Sequence, residues 1–519
     1  MGVGGQSDDH ETGWHLIVSR SGKGVMKLNW LACYATLAVV AIPVAAATTT
    51  GAALAAPLPR IAAPGAHPSV AWPITVRPGG NVGPGGNVAG GAELSRARYG
   101  KPPNSLGYPD STAVSPDGSQ VYIAGTSAVA YDAATGAQRW AAPTGLSRGA
   151  FLGVSPDGSR VFVTGGSANG GGALRYTTRA FDAATGAVLW TAYDHGPGTG
   201  DDQARSLAVS PDGSRVFVTG SSSGPNGISR YTTIAYDAAT GARRWVARYS
   251  NQHLSADAAS VAVSPSGTQV FVTGGSTGPT GHISAATVSY DAATGATRWV
   301  ARYSAAEGRD AGAGSVAVSP DGSAVYIAGT ARTRRGQAFP QNIAVVAYAA
   351  ATGAQRWAAL YPGSASPPPV YGSNALAMAL SPDGSAVFVA GQASTQRKAL
   401  YNTVAFGAAT GALRWARQAP LNGFGLPAGI AASNTEVFIT GHTTAGPPAT
   451  GATAYATVAY AAATGAERWT RLYTGSVPGF TQATSVAVSP DGTRVFVTGG
   501  ATGPNRQPEI NYTTLAYSP

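Results

Sequence analysis

From residue 111 to the C-terminus, hydrophobic and polar positions fall into short runs that recur as one unit. A strand ending in Ser-Pro-Asp-Gly is followed by one like Val-Phe-Val-Thr-Gly-Gly and one like Tyr-Thr-Thr-Ile-Ala-Tyr. The turn Asp-Ala-Ala-Thr-Gly and a strand opening Arg-Arg-Trp complete it. The unbroken apolar triplet Val161-Phe162-Val163 predicts a second strand covered on both faces, whereas alternation marks the outer strands as half-buried. Helical periodicity is absent after residue 60, so no helix is expected there.

The turns explain the punctuation. Proline presets φ at the first central position of a β-turn, and Asp followed by Gly tolerates the positive φ of a tight hairpin. Such turns begin at Ser115, Ser155, Ser210, Ser264 (as Ser-Pro-Ser-Gly), Ser319, Ser381 and Ser489, and a degenerate copy, Ser433-Asn434-Thr435, fills the remaining slot. Eight four-stranded units result.

Units of this kind, spaced by roughly 40 to 60 residues, cannot bury both sheet faces alone and predict radial stacking. A linear solenoid is the rival, and the termini decide against it. The last copy ends at Tyr512–Tyr517 without a fourth strand, while Leu94–Tyr99 resembles the fourth strands at Trp245–Tyr249 and Trp299–Tyr303. The expected fold is therefore all-β: an eight-bladed β-propeller over residues 94–519, closed by an N-terminal strand that completes the last blade.

The motif Ala-x-Asp-x-x-Thr-Gly-x-x-x-Trp runs from Ala130 to Trp140, Ala180 to Trp190 and Ala235 to Trp245, and with Ser289 in place of Ala to Trp299. Its aspartates are Asp132, Asp182, Asp237 and Asp291. Around Trp357, Trp415 and Trp469 the Asp is replaced by Ala349, Gly407 and Ala461. This resembles the tryptophan-docking motif of quinoprotein (pyrroloquinoline-quinone-type) propellers. Physically, Asp accepts turn amides, Gly takes the left-handed conformation, and Trp wedges between neighbouring blades, so these residues are expected to be structural. The resemblance implies a quinone over the axis with a bound calcium, an Asp base and, in alcohol-oxidising members, a disulfide of adjacent cysteines. That disulfide is impossible with one Cys, and no local segment matches a cofactor-site motif, so no catalytic residue is carried over.

Charge adds little to a partner argument. The net charge of +10 is mostly arginine, but no run of consecutive Lys and Arg exceeds two, and Arg139, Arg244, Arg298, Arg356, Arg414 and Arg468 simply precede the repeated tryptophans. Nucleic-acid binding is not expected. At the N-terminus, Arg20, Lys23 and Lys27 precede an apolar run from Leu31 to Ala47 and a small-residue site at Ala53-Leu54-Ala55, the pattern of an export signal. Residues 1–55 thus read as an N-terminal extension and signal peptide, with Met26 an alternative start, and 56–93 as a Pro/Gly/Ala-rich linker. Cleavage is favoured over a retained membrane anchor, and either places the propeller outside the cytoplasm, secreted or in the cell envelope. Cys33 lies in the apolar run, so the processed chain would have no thiol.

Three local patterns carry little chemistry. Gly220–Gly224 and Gly274–Gly278 match Gly-x-Ser-x-Gly but end strands, not the strand-turn-helix elbow a nucleophile needs. His195 sits near Asp194, Asp201 and Asp202 without a second His at metal spacing. Asn511-Tyr512-Thr513 is a glycosylation acceptor on a predicted strand. The uniform turns share one face, and the variable connections share the other, with Asp201, Asp202, Asp257, Glu307, Asp310, Arg334 and Arg335 on it. These are the candidate ligand-face residues. The leading expectation is a non-catalytic binding or scaffold propeller for a protein or carbohydrate, with no cofactor. A quinone-and-calcium dehydrogenase and a lectin-like propeller are the alternatives.

Overall fold

The computed structural model describes residues 90–519 apart from loop residues 101–107, 169, 225, 252–253, 306–308, 333–340, 363–369, 396–398, 420, 422–423, 446–451, 476–478 and 503–509. These residues form eight four-stranded antiparallel sheets, with no helix among them. Seven blades take their strands consecutively. Blade 2, for example, comprises Arg148–Val154, Arg160–Ala168, Leu174–Asp182 and Val188–Asp194. First strands neighbour one another in a closed ring and so surround the axis, which leaves the fourth strands on the rim.

The burial follows the sequence pattern. Val161, Phe162 and Val163 are fully enclosed, as are Val216, Phe217 and Val218 one blade on. Core clusters draw on two adjacent blades each, which is why no blade is a folding unit alone.

Blade 8 is composite. Its first three strands, Thr481–Val488, Val495–Thr502 and Ile510–Tyr517, are completed by Glu93–Tyr99 from the other end of the sequence, with Ser95 opposite Ala516 and Tyr99 opposite Tyr512. The expected closing strand is thus present, one residue longer at its start.

In blades 2 to 7 the turn between third and fourth strands makes the tryptophan contact. In blade 2, Gly186 takes φ +73° and donates to the Asp182 carbonyl at 2.8 Å, while the Asp182 carboxylate accepts the Thr185 amide. The indole of Trp140, from blade 1, lies on this glycine so closely that a Cβ would stand 2.6 Å from the ring. Its Nε1–H donates to the Ala183 carbonyl at 2.8 Å. Trp190, Trp245, Trp299, Trp357 and Trp415 repeat this with Ala238, Ala292, Ala350, Ala408 and Ala462. Removing such a buried ring costs about 3–5 kcal/mol, and the buried hydrogen bond adds about 1 kcal/mol.

Blade junctions are tied on the loop side as well. The Tyr231 hydroxyl donates to the Ala286 carbonyl at 3.2 Å and Tyr455 to the Thr513 carbonyl at 3.2 Å, each reaching into the next blade.

Candidate functional site

Antiparallel connectivity puts the Ser-Pro-Asp-Gly and Ala-Thr-Gly turns on one face and the longer connections on the opposite, loop face. The turn face is internally satisfied: the Asp117 carboxylate accepts the Ser115 hydroxyl at 2.5 Å and the Ser119 amide at 3.0 Å, an arrangement repeated at Asp157, Asp212 and Asp491. Asp132, Asp237 and Asp291 bind their turn amides and pair with Arg139, Arg244 and Arg298.

On the loop face the acidic residues singled out from the sequence are fasteners. Asp201, between blades 2 and 3, accepts the Leu174 amide at 2.9 Å. Asp202 is 2 % exposed and accepts the amides of Gly196 at 2.6 Å and Ser223 at 2.9 Å. Burial raises its pKa, and those two amides act in the opposite direction. The Ser229 hydroxyl donates to Asp257 at 2.5 Å. Asp310 accepts the Ile283 amide at 2.9 Å and pairs with Arg332 at 3.2 Å. Those of Asp201, Asp257 and Asp310 with Leu174, Ser229 and Ile283 bind a blade to its neighbour's hairpin. Of the two neighbouring acids, Asp202 is the enclosed one, committed to two amides. Glu307, Arg334 and Arg335 lie outside the described residues.

The structure brings forward other residues. Phe424 and Phe480 occupy equivalent positions just before the first strands of blades 7 and 8, where the Thr444 and Thr502 amides donate to their carbonyls at 2.9 Å. Their side chains are 55 % and 37 % exposed, and Leu426 and Tyr108, at the adjoining inner positions, are 36 % and 38 % exposed. Tyr108 meets Phe480 edge-on, with ring centroids 5.5 Å apart. An exposed apolar surface thus lies at the inner margin of the loop face across blades 7, 8 and 1. The sequence signal was present, as aromatic residues directly before inner strands, but the sequence reading singled out the charged residues of those connections instead.

Asp110 was also missed. It immediately precedes the inner strand of blade 1, at the repeat position held by Arg205 in blade 3, and its half-buried carboxyl accepts the Ala150 amide. Burial pushes this carboxyl up to about 7, against the hydrogen bond from Ala150.

These residues do not fit a quinone with calcium. Calcium needs about six to eight oxygen ligands, yet among the described residues no three His, Cys, Asp or Glu side chains converge as a cation site. The loop-face carboxylates of Asp194, Asp201, Asp202, Asp257 and Asp310 already hold arginine, amide or hydroxyl partners.

No curated protein sequence matches the chain. Among solved structures it is similar to the quinohemoprotein alcohol dehydrogenase of Comamonas testosteroni, at 15 % identity over 82 % of this chain and 76 % of that one, with a TM-score of 0.51. It is also similar to BamB from Moraxella catarrhalis (18 % identity, 63 % and 80 % covered, TM-score 0.39) and to hydrazine synthase of Kuenenia stuttgartiensis (17 % identity, 67 % and 91 % covered, TM-score 0.41). At these identities the likeness concerns the fold. The protein family described as outer membrane protein assembly factor BamB matches residues 85–335 and 211–367, together more than half of the sequence. With seven Thr-Gly-x-x-x-Trp turns in a ring of eight blades, the chain belongs to this family of PQQ-like repeat propellers.

Proposed function

We propose that this chain is a non-catalytic binding propeller of the cell envelope whose protein partner docks on the loop face around Tyr108, Phe424, Leu426 and Phe480. The observation that carries the reading is the set of exposed aromatic and aliphatic side chains at the inner margin of the ring, two of them, Tyr108 and Phe480, in edge-on contact. Exposed apolar patches rimmed by polar residues mark interaction sites, and aromatic anchors dominate the energetics of protein interfaces. The envelope location is supported by the family match and by the basic, apolar and small-residue pattern of residues 20–55.

The test is two-armed. Photocrosslinking from position 424 in exporting cells should trap a defined partner, and Phe480→Asp should reduce that product at least tenfold while the protein melts unchanged. Adding pyrroloquinoline quinone and calcium to the purified chain should give neither stoichiometric binding nor dye-linked alcohol oxidation; turnover would overturn the non-catalytic reading. A carbohydrate partner would instead appear as hits on a glycan array that the same substitution abolishes.

A further inference from the structure

Each blade ends in a rim strand whose outer N–H and C=O groups have no strand beside them among the described residues. Such edges template pairing with other chains, and proteins guard them with charge or proline. Seven of the eight rim strands here carry arginine, and the rim strand of blade 1 also ends in Pro143. The rim strand of blade 2, Val188–Asp194, carries no cation at all. Val188, Leu189 and Tyr193 on it are 49 %, 46 % and 49 % exposed. Its only charge, Asp194, is buried and paired with Arg243 from blade 3 at 2.7 Å.

Leu189 occupies the bulge position where other blades place the guarding arginine, the one that pairs with Asp132, Asp237 or Asp291. Asp182 accepts the Thr185 hydroxyl at 2.7 Å, and the arginine that acts on it is Arg160, opposite it on the neighbouring strand, rather than one from the rim. The Arg175 guanidinium lies 3.7 Å over the Tyr193 ring and holds that side chain in place on the same strand pair.

We propose that Val188–Asp194 is a self-association edge on which a second copy of this chain pairs antiparallel about a two-fold axis at Thr191. The register is self-complementary. Thr191 faces Thr191 of the partner subunit, and Leu189 faces Tyr193 of the partner subunit on both sides of the axis. Thr–Thr and aliphatic–aromatic cross-strand pairs are favourable, whereas like charges directly opposite are destabilising. The same operation on the rim strands of blades 3 and 4 sets Arg244 against Arg248 and Arg298 against Arg302, so charge excludes those edges and admits this one. Closed two-fold pairing through one strand joins two blades into an eight-stranded sheet and leaves the loop face of each copy free.

The experiment places a cysteine on the axis. In the full chain carrying Cys33→Ser, Thr191→Cys should form a disulfide-linked dimer under mild oxidation, while Val246→Cys, the equivalent position of blade 3, should stay monomeric. Adding Leu189→Arg to Thr191→Cys should lower the dimer yield at least tenfold with the melting temperature kept, since arginine is what the equivalent positions hold and Asp182 is there to receive it. The proposal is overturned if Thr191→Cys gives no dimer, if Val246→Cys dimerises equally, or if Leu189→Arg leaves the yield unchanged. Amide protection of Val188–Asp194 that does not vary with chain concentration would mean that another segment of the same chain covers the edge, and would also overturn it.

Discussion

Gly91 lies beneath the indole of Trp469 as Gly186 lies beneath Trp140: φ is +75°, and a Cβ on it would stand 2.6 Å from the ring. The turn that other blades make in one piece is here assembled from two distant segments. Gly91 donates to the Ser518 carbonyl at 2.9 Å, and Ser518 donates to the Ala92 carbonyl at 2.9 Å. What the split turn does not reproduce is the last indole bond, because the buried Nε1–H of Trp469 has no acceptor among the described residues. Gly91→Val should therefore open the ring at this seam, with left-handed strain of about 1–3 kcal/mol added to overpacking of similar size. Deleting residues 1–100 should lower the melting temperature sharply against a chain beginning at Ala56. Equal melting of those two chains in a calorimeter would refute closure by the N-terminal strand.

The junction between blades 8 and 1 has no tryptophan. Ser95 stands at that position, beside a small cavity of about 10 Å³ lined by Phe496, Tyr131 and Gly136 among others. Elsewhere the ring sits between such aromatics, as Trp140 does between Tyr122 and Phe181. A cavity of that size holds at most one water, so Ser95→Trp overfills the seam and should destabilise by about 1–3 kcal/mol. A rise in melting temperature would show that the seam opens to admit an eighth indole.

Acid stability should depend on the turn-face ion pairs. Asp132 is held down at about 2 by the Thr135 amide and then Arg139, Asp237 by Arg244, and Asp291 by Arg298. A carboxyl with a lowered folded pKa contributes stability above its ordinary value near 3.8, and that contribution is lost as pH falls toward 2. The pairs are largely exposed, so each is worth no more than about 1 kcal/mol. The combined Arg139→Ala, Arg244→Ala and Arg298→Ala variant should be less stable at pH 6 and converge on the parent as pH approaches 2. Parallel stability curves across that range would rule the mechanism out.

Asp110 should act with the opposite sign. Its folded pKa of about 7 lies above the ordinary carboxyl value of 3.8, so the folded chain binds the proton more tightly and stability declines as pH rises from about 4 to 7. Asp110→Asn should flatten that decline. Urea midpoints measured at each pH for both proteins provide the check, and identical slopes would place the carboxyl in water.

The two neighbouring acids of the blade 2–3 connection should separate cleanly. Asp202→Asn leaves one of two buried amides facing another donor and should cost about 1–3 kcal/mol. Asp201→Asn keeps the single acceptor that Leu174 uses and should fall within about 0.5 kcal/mol of the parent. Similar losses at both sites in urea unfolding would contradict the assigned roles.

The architecture was readable because its determinants are local. Ser-Pro-Asp-Gly and Asp-Ala-Ala-Thr-Gly set hairpins through the φ preferences of Pro and Gly, apolar triplets such as Val161-Phe162-Val163 specify doubly covered strands, and eight such units leave an unpaired partner for Leu94–Tyr99. The binding surface was not readable, because it depends on which residues of different blades come together. Asp201 and Asp202 look alike in the chain, but only the fold encloses Asp202 between the Gly196 and Ser223 amides. Phe424 and Tyr108 are far apart in sequence, and neither shows by its own neighbours that it will stand exposed at the inner margin of the loop face. Local propensity fixes the strands and turns; burial, and with it the availability of a charge or a ring to a partner, is decided by the ring closing around its axis.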